Sequence, residues 1–595
     1  MTDPSIEIEI ELTPIDGSDT SPSPTRWWMI VTLAVVAVAA VHIAAIFGNR
    51  GPVLYSDALG YLGNARFLAG GTPPTFDGAF SYAPGYSVLL IPLYWVTQQA
   101  DAVWTGAVLL NVAFATLIMA PAYWLARNMF SLRQHPALLS AAVVSLTPAL
   151  ILQPGRIWTE TLFPLVFLTA VAAVTSMFGM KPVSATRIGP AIASGALVGY
   201  LVSIHGRGIA VAAAFGAILL FGVVWYRIRT STALIAATAA GIVVAGDLAV
   251  RSYLRSELWT PGDVPANAGS VRRILAAYAP DQITSTLSTA LGHGWYVIAV
   301  SFGLAALGFV ALTLVAARSP KWHPTSASAQ AGAAFAILAV VGVWLLSAGL
   351  LTNVNRVDHR VYGRYLEGVT PILILAGTAA LLKVRVAWRA LGYSAALILP
   401  VGAGLYWLRG PEQFVGNVQK FTIPGLVGMQ SIFSPTNTVF LDRIDVVAIS
   451  VLATAIGIVG ALAIRRNPST GIIAVLAITV GLTFLGKSAS WDPFVSFWYD
   501  AYNNVPAALN ELSESEAVTY DVAFLNPDAR NLYEFRLAPR QLAFVEGACT
   551  PESGTVVIST DDPQAAGIEG TPLTADTTPG QALWFLGEGT SARCR

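Results

Sequence analysis

Long apolar runs separated by short polar and charged connections recur along most of the chain. They fall near residues 27–47, 103–126, 137–153, 158–178, 189–204, 208–226, 233–250, 295–316, 329–351, 366–382, 390–408, 444–464 and 471–486. Each comes close to or reaches the roughly 17–25 residues that cross a bilayer as a helix. The pattern then changes period. AVTYDVAFL (517–525), QLAFVEG (541–547), TVVIST (555–560) and ALWFLGEG (582–589) read as strands, and 527–537 reads as a helix opened by Pro527-Asp528. The predicted fold is an all-α polytopic membrane protein of about thirteen transmembrane helices carrying a small C-terminal α/β domain.

Composition agrees with this. Of 595 residues 55% are hydrophobic and 11% charged, with a mean hydropathy of +0.62. A soluble protein carries about 25% charged residues, so a soluble globule is excluded. Lys+Arg and Asp+Glu are equal at 34 each with no basic tract, which argues against a nucleic-acid partner. The balance is uneven in space, because residues 1–26 hold six acids and one base and residues 488–595 hold fifteen acids and five bases. Three regions follow: 1–26, a disordered cytoplasmic tail; 27–487, the membrane body; and 488–595, the acidic α/β domain. The run from Trp27 has an acidic leader and no small-residue cleavage site, so it reads as a retained helix rather than a signal peptide.

Charge also sets the expected orientation. With the N-terminus cytoplasmic, the inner loops 127–136, 179–188, 226–232, 317–328, 383–389 and 465–470 hold thirteen Lys/Arg and no acid. That is the positive-inside pattern. An odd number of spans places the C-terminal domain outside the cytoplasm. Cys549 and Cys594, the two cysteines, then lie in an oxidising compartment and are expected to form a disulfide. Alanine richness and short connections read as a bacterial inner membrane.

The body's acids gather at the outer boundary, where the first outer loop (48–102) contains SDALGYLGNARF. At helical spacing Asp57, Tyr61 and Asn64 share a face, with Arg66 nearby. Asp57 suits either a helix cap or a general base, a partly desolvated carboxylate just above the bilayer. The other outer candidates are Glu160, and His205 with Arg207 in a tight turn. The aromatics Tyr61, Tyr82, Tyr86, Trp295, Tyr296, Tyr362 and Tyr365 either stack on sugar or belong to an interfacial belt.

The motifs carry a resemblance. A first membrane helix is followed by D-x-x-x-Y-x-x-x-A (Asp57, Tyr61, Ala65) and a Pro-Gly-Tyr element (Pro84, Gly85, Tyr86). GRIWTETLF (155–163) and VYGRYLEGVTPIL (361–373) come later. Together they resemble the GT-C superfamily of polytopic glycosyltransferases, of the dolichyl-phosphate-mannose mannosyltransferase and lipid A aminoarabinose transferase type. The lone Asp57 differs from the adjacent acidic pair of protein O-mannosyltransferases. The resemblance implies sugar transfer from a polyprenyl-phosphate donor to an extracytoplasmic glycan, glycolipid or protein acceptor of the cell envelope. Asp57 would be the base, and cations would meet the departing phosphate. Arg356, Arg360 and Arg364 recur every four residues beside His359, so one helical face is expected to present them to that phosphate. Glu160, His205, Arg207, Tyr61, Arg66 and Tyr82 would line the substrate site. No cofactor is implied. A metal is not required by any ligand spacing, although some members of the superfamily use a divalent ion. The rival readings are a flippase or exporter of lipid-linked sugars, an O-antigen polymerase or ligase, and a non-catalytic envelope assembly protein.

Overall fold

The computed structural model describes residues 24–48, 51, 56–74, 82–179, 188–225, 228–258, 270–317, 326–352, 356–384, 386–434, 441–501, 504–511, 518–521, 527–537, 542–545, 555–566, 568–569, 571–575, 581–586 and 591–592. Cys549 and Cys594, with their expected disulfide, lie outside the described residues.

The chain is a bundle of apolar helices, and the first shows why. Pro24–Ile46 is apolar on every face and buries only Val38, His42 and Ala45, so most of its surface suits lipid rather than water. Among the described residues seven helices are long and apolar enough to cross a membrane, or ten if three bent pairs each count as one span. By this measure the described helices account for seven to ten of the about thirteen spans expected from the sequence. Leu162–Met177, Ile188–Ile204 and Gly208–Val224 are 16 or 17 residues long. At 1.5 Å per residue they rise about 25 Å, short of a hydrocarbon core of about 30 Å. The run expected over 295–316 is broken as well. Ile283–Val300 and Leu304–Ala316 meet at 103°, with Phe302 at φ 52° and Gly303 at φ 88°. A side chain at Gly303 would also press on the backbone of Ala395.

The two ends of the bundle differ in chemistry. At one end, cations meet carbonyls and rings: Arg127 donates to Leu132 O (2.9 Å), Lys383 to Phe130 O (3.2 Å), and Arg389 and Arg465 flank Trp388. The other end carries the folded loops. Ser56–Leu68 is followed by Pro84–Val96, which turns Tyr86, Leu90 and Tyr94 inward and leaves Trp95 and Val96 exposed. Val415–Val418 pairs antiparallel with Leu441–Arg443 in a two-stranded ribbon.

The helix Pro468–Gly486 continues through a π turn at Lys487–Trp491 into Asp492–Ala501 at this same end. Beyond it lies a five-stranded mixed sheet in the order Leu542–Val545, Val518–Asp521, Thr555–Thr560, Gln581–Leu586, Thr574–Ala575. The first three strands run parallel, and Gln581–Leu586 lies antiparallel between Thr555–Thr560 and Thr574–Ala575. The helix Pro527–Leu537, which connects the first parallel pair, buries Leu532, Tyr533, Phe535 and Leu537 and packs against Ser56–Leu68.

Candidate functional site

Asp57 lies in the first turn of Ser56–Leu68, where the unpaired N–H groups of the helix favour a carboxylate. Ala58, Tyr61, Leu62 and Ala65 are buried and anchor this helix. Gly60 permits the ring of Tyr82 to lie against the helix, because a Cβ there would overlap it. Tyr61 is held between two rings at edge geometry, Tyr82 at 5.5 Å and Tyr86 at 5.3 Å. Burial, reinforced by the charges of Asp57 and Glu160, pushes the Tyr61 hydroxyl well above its ordinary pKa and keeps it neutral.

Asn111 pins the second segment of the site. Its amide donates to Arg156 O (2.5 Å), and its oxygen accepts from Tyr86 (2.9 Å) and Thr161 (3.0 Å). The stretch between Arg156 and Thr161 is thereby fixed with Trp158 and Glu160 directed toward Arg364. The third segment follows a break in the helix. Val357–Val361 is a 3-10 turn, Gly363 lies against the Tyr296 ring, and Arg364–Glu367 is a separate short helix.

Arg364 joins these segments. Its Nε donates to Glu160 Oε1 (2.8 Å) and its Nη2 to Asp57 Oδ2 (2.8 Å), while its guanidinium lies 3.9 Å from the centre of the Trp158 ring. Arg207 supports it from below: Nη1 donates to Arg364 O (3.1 Å) and Tyr365 O (3.2 Å), and the guanidinium lies over Phe163 at 4.3 Å. Arg207 Nη2 stands 3.7 Å from Glu160 Oε1, too far for a hydrogen bond. Arg207 Nε and Nη2 and Glu160 Oε2 are buried without a hydrogen-bond partner among the described residues. His205 Nδ1 accepts the Arg207 backbone N–H (3.2 Å), which places any ring proton on Nε2. Burial, together with Arg207, Arg364 and Arg251, holds His205 well below its usual pKa and therefore neutral.

The cluster is thus two arginines and two carboxylates, balanced in formal charge. Its members differ in access. The Asp57 side chain is 35% exposed, Arg364 7% and Glu160 1%. Asp57 is the most exposed of the four. Chemically, the arrangement offers one open carboxylate to take a proton and one guanidinium, already desolvated, to meet an anion.

Of the residues expected at a site, Asp57, Tyr61, Tyr82, Glu160, His205, Arg207 and Arg364 converge here. Four do not. Arg356, Arg360 and Arg364 do not share a helical face, because the 3-10 turn and the Tyr362-Gly363 break rotate them apart. Arg356 binds Asp358 (2.6 Å) and Gln419, and Arg360 donates to Gln413 O, both turned toward the ribbon side. His359 lies edge-on to Tyr362 at 5.5 Å, with its carbonyl bonded to His293 (2.9 Å). Arg66 points away from Asp57 into a buried contact with Glu534 (2.8 Å). Sequence reasoning missed Trp158 and Phe163 as supports of the arginines. Their signal was adjacency: both flank Glu160 in GRIWTETLF. Glu534 had no local signal, being 468 residues from its partner.

No protein-family model matches the sequence, and no curated protein matches it. Solved structures do. ArnT from Cupriavidus metallidurans bound to undecaprenyl phosphate superposes over 94% of this chain and 98% of that one, at 14% identity and a TM-score of 0.54. Its apo state gives the same coverage at 15% identity and a TM-score of 0.54. A looser likeness links the chain to the arabinosyltransferase EmbB from Mycobacterium smegmatis, at 15% identity, 81% of this chain, 44% of that one and a TM-score of 0.42. The chain is a multi-pass membrane protein that shares its fold with ArnT.

Proposed function

We propose that this protein transfers a sugar from a polyprenyl-phosphate donor to an acceptor hydroxyl at the extracytoplasmic face of the cell (inner) membrane. The observation that carries the reading is the bridge from Arg364 to both Asp57 and Glu160. Sugar on a lipid phosphate already has an adequate leaving group, so the reaction needs a base for the acceptor and a cation for the phosphate. Asp57, the open carboxylate, takes the acceptor hydroxyl proton as that oxygen bonds to the anomeric carbon. The bond from that carbon to the phosphate oxygen breaks, and its electron pair leaves with the phosphate. Arg364 stabilises the charge. A donor phosphate competes with Asp57 for Arg364 Nη2, so donor binding frees the carboxylate for its task.

Glu160 keeps Arg364 in place through Nε during this exchange, and Arg207 fixes the Arg364 backbone. Tyr82, half-buried and backed by the buried Tyr61, presents a ring suited to a sugar face. The undecaprenyl phosphate carried by the similarly folded ArnT supports a polyprenyl donor. In this reading the N-terminus is cytoplasmic. The region 488–595 lies outside and orients an envelope glycan, glycolipid or protein acceptor.

The test is sugar transfer in membranes holding the parent or Asp57→Asn, with a panel of labelled polyprenyl-phosphate sugars. Loss of about a hundredfold or more in a folded variant is expected for removal of a catalytic base. Equal activity in the variant removes Asp57 as base and favours an arginine-centred polymerase or ligase mechanism. Absence of transfer with every donor favours the flippase or assembly reading.

A further inference from the structure

The helix that carries Asp57 is gripped at its other end by the C-terminal region. Arg66 is in the last turn of Ser56–Leu68, nine positions after Asp57 and about 13 Å along the axis. Its Nη2 meets Glu534 Oε1 at 2.8 Å, with side-chain exposures of 4% and 7%. Nε donates to Thr72 O (2.9 Å) and Nη2 reaches Pro73 O (3.4 Å), so the same guanidinium also holds the chain leaving the helix. Glu534 is itself on a held element. Arg536, two residues on, lies over the Tyr499 ring at 4.9 Å, which ties Pro527–Leu537 to Asp492–Ala501.

A buried ion pair is a poor source of stability, because desolvation of both charges offsets most of their attraction. It does define one geometry, since a single planar fork meets Glu534 Oε1, Thr72 O and Pro73 O at once. We infer that Glu534 is a positioning residue. Through Arg66 it fixes the pitch and register of the Ser56–Leu68 helix, and so holds Asp57 where Arg364 and the acceptor can both reach it. The C-terminal region then acts on the reaction mechanically, besides any role in holding an acceptor. This inference rests on the assignment of Asp57 as base.

The experiment uses the full chain in lipid nanodiscs with two readouts. The first is backbone hydrogen exchange over residues 57–68, which needs no substrate. The second is sugar transfer with the same donor panel. In Glu534→Ala, exchange over this helix is expected to rise about tenfold or more, as local opening becomes easier. The kcat is expected to fall about tenfold or more with donor KM within about twofold, because a misplaced base loses turnover rather than binding. Glu534→Gln keeps the shape and an acceptor for Arg66, and is expected to lie between Glu534→Ala and the parent on both measures. The Arg66→Ala/Glu534→Ala double variant is expected to be no worse than Glu534→Ala, since the two act as one unit. Unchanged exchange in Glu534→Ala, or raised exchange with unchanged transfer, overturns the inference. Parent-level transfer in Asp57→Asn overturns the base assignment instead, and hydrogen exchange still decides whether Glu534 holds the helix.

Discussion

The two ends of the Ser56–Leu68 helix each meet a distant part of the chain through an arginine and a carboxylate. At the Arg66 end the guanidinium has a carboxylate and two carbonyls, and both charged side chains are almost wholly buried. At the Asp57 end the aspartate is a third exposed, and beneath it Glu160 Oε2 and two Arg207 nitrogens have no hydrogen-bond partner among the described residues. Each such orphaned polar atom costs about 1–3 kcal/mol. The first arrangement suits a fixed joint. The second keeps hydrogen-bonding capacity in reserve, which is worth its cost where a ligand will exchange partners.

Arg364→Lys tests this contrast most severely. An ammonium on a flexible stem cannot hold two directed bonds at fixed separation. Transfer is expected to fall about a hundredfold or more while the protein still elutes as a folded species. Near-parent transfer by Arg364→Lys would mean that the bridge between Asp57 and Glu160 is dispensable, and the two ends of the helix would then be alike.

A smaller effect comes from His205, which stays neutral in the folded chain because its pKa is depressed. An unfolded histidine titrates at about 6.5, so below that pH the unfolded chain binds more protons. The stabilisation is fully present above about pH 6.5 and is lost as the pH falls, by up to about 1.4 kcal/mol per unit. The melting temperature in detergent is expected to drop between about pH 7.5 and about pH 5, and to drop less in His205→Gln. Identical pH profiles for the two would mean that the histidine is not held neutral by the Arg207 turn.

The smallest effect is expected at Arg356, whose side chain is 38% exposed and paired with Asp358 on the ribbon side. Arg356→Ala should cost less than about 1 kcal/mol and change transfer less than about twofold. A large loss of transfer at constant stability would extend the reactive end of the helix to the 356–360 turn.

Much of the molecule was readable in the linear chain, for reasons that can be stated residue by residue. Helical apolar runs are local, so their positions and order follow from solvent preference, as do the strands around 527–537, whereas the breaks within the runs depend on packing. Asp57, Glu160 and Arg207 stood out because charge beside a membrane boundary is costly unless it is used or paired. Arg364 stood out only as one of three equivalent arginines. Its selection depended on a 3-10 turn over Val357–Val361 and on the ring of Tyr296 behind Gly363, neither of which the four-residue spacing reveals.

The sequence by itself determined that this chain lives in a membrane and follows its helices with a small α/β region. These follow from hydropathy and charge, which act on each segment separately. Tertiary structure alone decided which charges meet. Arg364 reaches Asp57 across 307 residues, and Arg66 reaches Glu534 across 468. Contacts of that span are set by how helices pack and where backbones break, and no local pattern encodes them. The same packing turned Arg66 away from Asp57, although the two share a thirteen-residue helix.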